Sequence, residues 1–475
     1  MKLRLVTLAA LAALATQAFA APNTTPVTAA EAAAATNTLY FSGSSAAKAI
    51  ISGLVLQNCT GYTTPGVTTG TSFVTFSDST GNYNAYACRA LAVNDWGLPE
   101  NTVIVVNKRD DQGSGFGVFP VAYNTSIAFL NLSGTPVSGK YPTANHTADV
   151  GISDVEPTLF NVAANRPSAF ASSAPVSNSS FAPVTITLPD GSTSTANVTT
   201  VFSQVFGVAV TTKLYNALQA AKQTIDGTTT GVPSLPRDYL TNFFSQNVGA
   251  VGYLPLGVAN ADTAGINVCF RDQGSGTRVS GNVYFGQFPG NGASAFLPLD
   301  STVANTASPS DATGAIYVNE AGSGGGVQTC LHNVNALAGN GYGIGLLTFG
   351  TAEVPADYKF VAVDGVFPSR DGAKTGKYGF WVESTIQVNK LSTASAAAKA
   401  WMTKFIAKAQ QSTNLAQLSP AAQNGVFALP LSQADVAADD CLNYAGTFSG
   451  TGNADKFCSR YSRGGDNRAV AAFVK

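Results

Sequence analysis

The sequence predicts an α/β fold built from more than one domain. Three observations carry this expectation. Apolar strand-like runs alternate with helical patterns, Gly/Ser turns stand where several of the predicted strands give way to helices, and 475 residues exceed what one small core organises. The first unit is Leu39-Tyr40-Phe41, the turn Ser42-Gly43-Ser44-Ser45, then the Ala-rich pattern Ala46 to Ile50. A second strand signal, Val103 to Asn107, leads into Gly113-Ser114-Gly115, and a third unit is Ala148 to Asp154. Val201 to Val210 is again strand-like. Lys213 to Leu218 follows it, and Leu235 to Phe244 carries a helix start with Pro236 near the first turn. Gly322 to Val327 precedes a further helix, and Tyr342 to Leu347 reads as a strand. The strongest helix is Ala396 to Gln411, with Trp401, Met402, Phe405 and Ile406 on one face. Segment 161–200, rich in Ser, Thr, Pro and Asn, is expected to be a long surface excursion, and 281–318, rich in Gly, Asn, Ser and Pro, an insertion.

Composition narrows the function classes. The chain is 45% hydrophobic and 11% charged with 47 Gly, a neutral and loop-rich globular pattern. A formal net charge of -1 gives no basic surface for nucleic acid. Residues 1–20 read as an export signal: Lys2 and Arg4, an apolar run from Leu5 to Ala15, and Ala18-Phe19-Ala20 before the expected cleavage point. The expected mature protein is soluble and exported, periplasmic or secreted. Six Cys in such a chain read as disulfides, and six allow 15 pairings. Pairing of nearest neighbours is the expectation: Cys59 with Cys88, Cys269 with Cys330, and Cys441 with Cys458. No Cys-x-x-Cys occurs and only two His are present, so no metal site or cofactor is expected.

Catalytic patterns are sparse. There is no G-x-S-x-G elbow, no Walker A G-K-[ST] and no H-E-x-x-H, and His146 and His332 read as structural. What remains is a set of Gly/Ser loops. Arg271-Asp272-Gln273-Gly274-Ser275-Gly276-Thr277 joins a fixed cation to two hydroxyls and to glycines that let backbone N–H groups converge. Arg109 to Gly115 is a partial echo, in which Arg109 itself is expected on the surface.

The order of these loops resembles the periplasmic phosphate-binding proteins that feed ABC importers, a branch of the type II two-lobed solute-binding fold. Their first Gly-x-Thr/Ser turn is matched by Gly43-Ser44-Ser45-Ala46, and their Gly-Ser-rich loop by Gly113 to Gly117. Their D-x-G-x-S-D motif is matched by Asp149 to Asp154, and their R-x-x-G-S-G-T by Arg271 to Thr277. The likeness spans most of residues 38–410, with insertions near 60–100, 160–200 and 281–318. It implies an anion held by Ser45, the Ala46 N–H, Ser114, Asp154, Arg271, Ser275, the Gly276 N–H and Thr277. Asp154 fits that role because monohydrogen phosphate has a proton to donate, whereas sulfate does not. Two departures stand out. Ala46 replaces a bulky aromatic, and Gln273 replaces an acidic partner of the arginine, which leaves Arg271 less neutralised by its own loop.

The resemblance implies one lobe from 21–208 plus 351–475, a second from 209–350, and hinges at Gly207 and Gly350. It further implies a non-enzymatic, monomeric binding protein for inorganic phosphate or a related tetrahedral oxyanion, working with an inner-membrane ABC permease. Two alternatives stay open: a secreted enzyme acting on phosphate esters, and a surface protein reusing the fold.

Overall fold

Fourteen consecutive residues, Val198–Thr211, form one strand that serves two sets of neighbours. The run Val201 to Thr211 is rich in Val and Phe and is buried throughout, as expected of a strand covered on both faces. Residues 198–205 pair antiparallel with Trp381–Val388 and, within that stretch, with Val426–Ala428. Residues 206–211 pair antiparallel with Gly343–Thr348 and Tyr358–Val363. Gly207 lies where the partners change, and a Cβ there would come within 2.6 Å of the Phe360 ring.

A computed structural model describes residues 21–187, 191–290, 297–428, 459 and 461–473. The expected leader and the expected Cys441–Cys458 pair lie outside the described residues. On either side of the long strand stands a block of three parallel strands. The first contains Val150–Ser153, Asn37–Gly43 and Val103–Arg109, reached through Trp381–Val388. The second contains Gly343–Thr348, Ile266–Arg271 and Ile316–Ala321. The chain is therefore α/β, with a large mixed sheet.

Helices follow the parallel strands closely, as the alternation of signals predicts. Lys48–Leu56 follows Asn37–Gly43, Gly115–Tyr123 follows Val103–Arg109, Gly276–Tyr284 follows Ile266–Arg271, and Gly324–Asn335 follows Ile316–Ala321. Short connections put all four helix N-termini at the carboxyl ends of the strands, where open α/β sheets hold their ligands. The helix Ala396–Ala409 buries Trp401, Met402, Phe405 and Ile406. Trp401 stacks on Trp96 and meets Phe41 edge-on. Disulfides join Cys59 to Cys88 and Cys269 to Cys330. The second of these ties the Ile266–Arg271 strand to the Gly324–Asn335 helix.

Three features differ from the sequence-based expectation. Strand Tyr358–Val363, assigned by the resemblance to the 351–475 part of the first lobe, pairs with residues 208–211 and with Ser234–Leu235, beside the second block. Segment 161–200 is more than a surface excursion. Phe170, Val176 and Phe181 are buried in the core, because widely spaced apolar side chains anchor a mostly polar stretch. Residues 461–473, for which the sequence offered no element, form a strap over the sheet. The fully buried carboxylate of Glu383 accepts from Ser462 Oγ (2.9 Å), Arg463 N (2.5 Å) and Gly465 N (2.6 Å). Asn467 donates through N and Nδ2 to Glu156, at 3.1 and 2.9 Å.

Candidate functional site

The strand ends Gly43, Arg109, Ser153, Arg271 and Ala321 gather their following loops at one boundary between the two blocks. Gly43 has φ +109°, and a Cβ there would lie 2.1 Å from the Ile152 carbonyl oxygen and 2.7 Å from Gly117 Cα. Only glycine permits a turn of this shape so close to its neighbours. The turn presents two serines with different partners. Ser44, fully buried, donates to Asp154 Oδ1, and its oxygen accepts the Ala47 N–H at 3.2 Å. Ser45 Oγ accepts from Arg271 Nη1 at 3.1 Å.

Arg271 is 3% exposed and spreads its fork over the end of the second block. Nε donates to the Ala321 carbonyl at 3.1 Å and Nη2 to the Gly322 carbonyl at 3.0 Å. Burial weakens its hold on its proton, while Asp272, Asp154, Asp110 and Asp111 strengthen it. The guanidinium stays charged. Arg271 is thus set in an acidic field, with Asp272 Oδ1 4.0 Å from Nη2, despite the neutral Gln273.

Two backbone hydrogen bonds cross the boundary: Gly115 N to the Gly274 carbonyl (2.7 Å) and Gln112 N to the Gly322 carbonyl (3.1 Å). Ser275 caps the Gly276–Tyr284 helix through the Arg278 N–H, and is fully buried. Gly276 opens that helix against the other block. A Cβ there would lie 2.3 Å from Ser114 Oγ and 2.5 Å from Asp154 Oδ2. Ser114 Oγ in turn accepts the Asp154 N–H at 3.0 Å. Burial pushes the Asp154 carboxyl up, against the lowering pull of Ser44, Arg271, Ser114 and Lys108. Asp272 is pushed up to about 6, by burial first and then by Asp111 and Glu320, against the pull of Arg271 and Arg278.

Beside this contact opens a cleft of about 540 Å³. Ser45, Ala46, Arg271 and Thr277 line it, together with the glycine-rich helix start Ser323 to Gly326. Ser114, Asp154, Ser275 and Gly276 sit next to it, buried where the blocks touch. The structure therefore brings all eight residues named from the sequence into one cluster, four at the cleft wall and four behind it.

Sequence reasoning missed several neighbours. Lys108 is fully buried and donates from Nζ to the Gly43 and Arg109 carbonyls (2.9 and 2.7 Å) and to Asp110 Oδ1 (2.7 Å). It thereby ties the first turn to the second loop. In sequence it stands just after the apolar run, between Asn107 and Arg109, with nothing local to mark its role. Lys48 reaches the cleft, with Nζ 3.8 Å from Asp110 Oδ2. Pro167 packs against Gly115 and Gly274. Arg109 is not on the surface. It is 5% exposed, donates to the Ala128 carbonyl and to Asp111, and lies over the Phe116 ring at 4.5 Å. It ends the Val103–Arg109 strand, and its aromatic neighbour Phe116 is seven residues on, which explains why it is buried.

The two histidines lie elsewhere. His146 stacks on Tyr40, and His332 pairs with Asp357. Among the described residues no group of His, Cys, Asp or Glu is arranged to hold a metal ion, and no helix is long and apolar enough to cross a membrane.

No protein-family model and no curated protein matches the sequence. Solved structures give similarities of low score. A phosphate-bound protein from Clostridium perfringens, assigned as a phosphate ABC transporter substrate-binding protein, has a TM-score of 0.38 at 11% identity over 78% of this chain and 93% of its own. An ABC-type phosphate transport receptor from Vibrio cholerae scores 0.34 at 12% identity, covering 77% and 98%. PstS from Borrelia burgdorferi scores 0.33 at 12% identity, covering 80% and 95%.

Proposed function

We propose that the chain is an exported binding protein that holds inorganic phosphate, or a related tetrahedral oxyanion, between two lobes for ABC-type uptake. The observation that carries this reading is Arg271. A nearly buried guanidinium stands where the two blocks meet, hydrogen-bonded to a serine of the opposite block and lining the cleft. Around it lie hydroxyls, a helix N-terminus and a carboxylate. Donors of this kind suit an anion stripped of water, since a fixed cation and oriented N–H groups replace its hydration shell. Asp154 adds an acceptor that a proton-bearing anion can satisfy and sulfate cannot. On this reading Ser45, Ala46 N, Ser114, Ser275, Gly276 N and Thr277 supply donors, and the lobes part slightly to admit the ligand and close upon it.

Calorimetric titration of the purified protein with phosphate, arsenate and sulfate tests the reading. Phosphate binding that outcompetes sulfate and is lost in Arg271→Ala is the expected result. No binding of any of the three anions overturns it.

A further inference from the structure

Adjacent serines in the first turn use their protons in opposite directions. Ser45 Oγ accepts from Arg271 on the cleft side, which leaves its own proton free to face the cleft. Ser44 is fully buried. A hydroxyl has one proton and two lone pairs. The Ala47 N–H occupies a lone pair of Ser44, and its proton goes to Asp154 Oδ1. Asp154 Oδ2 points the other way, against Gly276 and Ser114.

We propose that Ser44 is a positioning residue that fixes Asp154 as an ionised acceptor and so sets the preference of the site for a proton-bearing oxyanion. The inference rests on the binding reading above and concerns a residue outside the eight ligand positions. A hydroxyl that donates to Oδ1 stabilises the charged carboxylate and fixes its orientation, with Oδ2 turned toward the start of the Gly276–Tyr284 helix. The charged and titratable groups facing Asp154 are Arg271 from the second block and Lys108 from the Val103–Arg109 strand, two strands away, with the Ser114 hydroxyl from the Gly113 loop. Both cations favour the ionised form as well, but neither orients the carboxyl group through a direct hydrogen bond to it. Ser44 does. Without it, burial acts on Asp154 with less opposition, the carboxyl takes up a proton at higher pH, and an Asp154 that carries a proton can donate to sulfate.

The test is the pH dependence of sulfate and phosphate binding, by calorimetry, in wild type, Ser44→Ala and Ser44→Thr. In wild type, sulfate should bind only at acid pH. In Ser44→Ala the onset of sulfate binding should move up by about one pH unit, the change carried by one hydrogen bond to a charged group. Ser44→Thr, which keeps the hydroxyl, should return it toward the wild-type position. A general loosening of the site would instead weaken both anions at every pH, and that result, or identical profiles in wild type and Ser44→Ala, overturns the proposal. Isotope-edited infrared spectroscopy of the wild-type Asp154 carboxyl gives a second test that needs no variant: a protonated Asp154 at pH 7 overturns it. Failure of the wild type to bind phosphate at all would instead remove the binding reading itself.

Discussion

Gly276 and Asp154 belong to opposite blocks of the sheet, yet a single methyl group on Gly276 would stand 2.5 Å from Asp154 Oδ2. Gly276 is the first residue of a helix, and its backbone is not in the left-handed region. Alanine would therefore suit the helix itself. Its effect should fall on the contact between the blocks. Gly276→Ala is expected to fold with near wild-type helix content but to bind phosphate at least about a hundredfold more weakly, because a displacement of about 1 Å misplaces every donor on that side. Circular dichroism and calorimetry on the same sample check both halves of the expectation.

Arg271→Lys should separate charge from geometry. The fork of Arg271 reaches two carbonyls and Ser45 at once. A lysine keeps the charge but cannot span all three. Phosphate affinity should fall roughly tenfold to a hundredfold, short of the loss in Arg271→Ala, as one or two charge-assisted hydrogen bonds disappear. Equal loss in both variants would mean that geometry alone carries the interaction.

Stability should depend on pH through Glu156. Burial pushes its carboxyl up from 4.5 to about 7, against the donors of Asn467. The folded state then holds a proton that the unfolded state releases. Stability should accordingly fall as pH rises from about 4.5 to about 7, with the penalty fully present above that window. The change is roughly 3 kcal/mol. Glu156→Gln, which still accepts from Asn467, should flatten this slope in denaturant melts run between pH 4 and pH 8.

The two disulfides among the described residues should differ in their effect on binding. Cys269–Cys330 closes a separation of 61 residues and links the strand that ends in Arg271 to the helix whose glycine-rich start lines the cleft. Replacing both with Ala should cost roughly 4 kcal/mol of stability and also weaken phosphate binding. Replacing Cys59 and Cys88, which close 29 residues away from the cleft, should cost roughly the same or slightly less stability. Affinity should then stay near wild type.

The legible part of this molecule was local. Strands such as Val103–Arg109 and helices such as Ala396–Ala409 announce themselves because the apolar pattern is contiguous in the chain, whereas the strand Ile266–Arg271 and the helix Gly276–Tyr284 were not read as elements. The eight candidate ligand residues were named through the family resemblance, on four motifs each contiguous in the chain, and the structure gathers them beside one cleft. Lys108, Ser44 and Pro167 were not, because their roles depend on which distant segment the register places beside them. Lys108 matters only because Gly43 lies in the adjacent strand, and Ser44 only because Asp154 lies one strand further on. Arg109 shows the converse error. Its composition suggested solvent, but Phe116 and the Ala128 carbonyl enclose it.

The strap at residues 461–473 has a consequence for the order of assembly. Glu383 sits in a central strand with no solvent, and its donors are Ser462, Arg463 and Gly465. Until those residues arrive, closing the middle of the sheet would bury a carboxyl group without its donors, which costs several kcal/mol. A chain cut before Ser462 would leave Glu383 without these donors, so the strap and the middle of the sheet should form together.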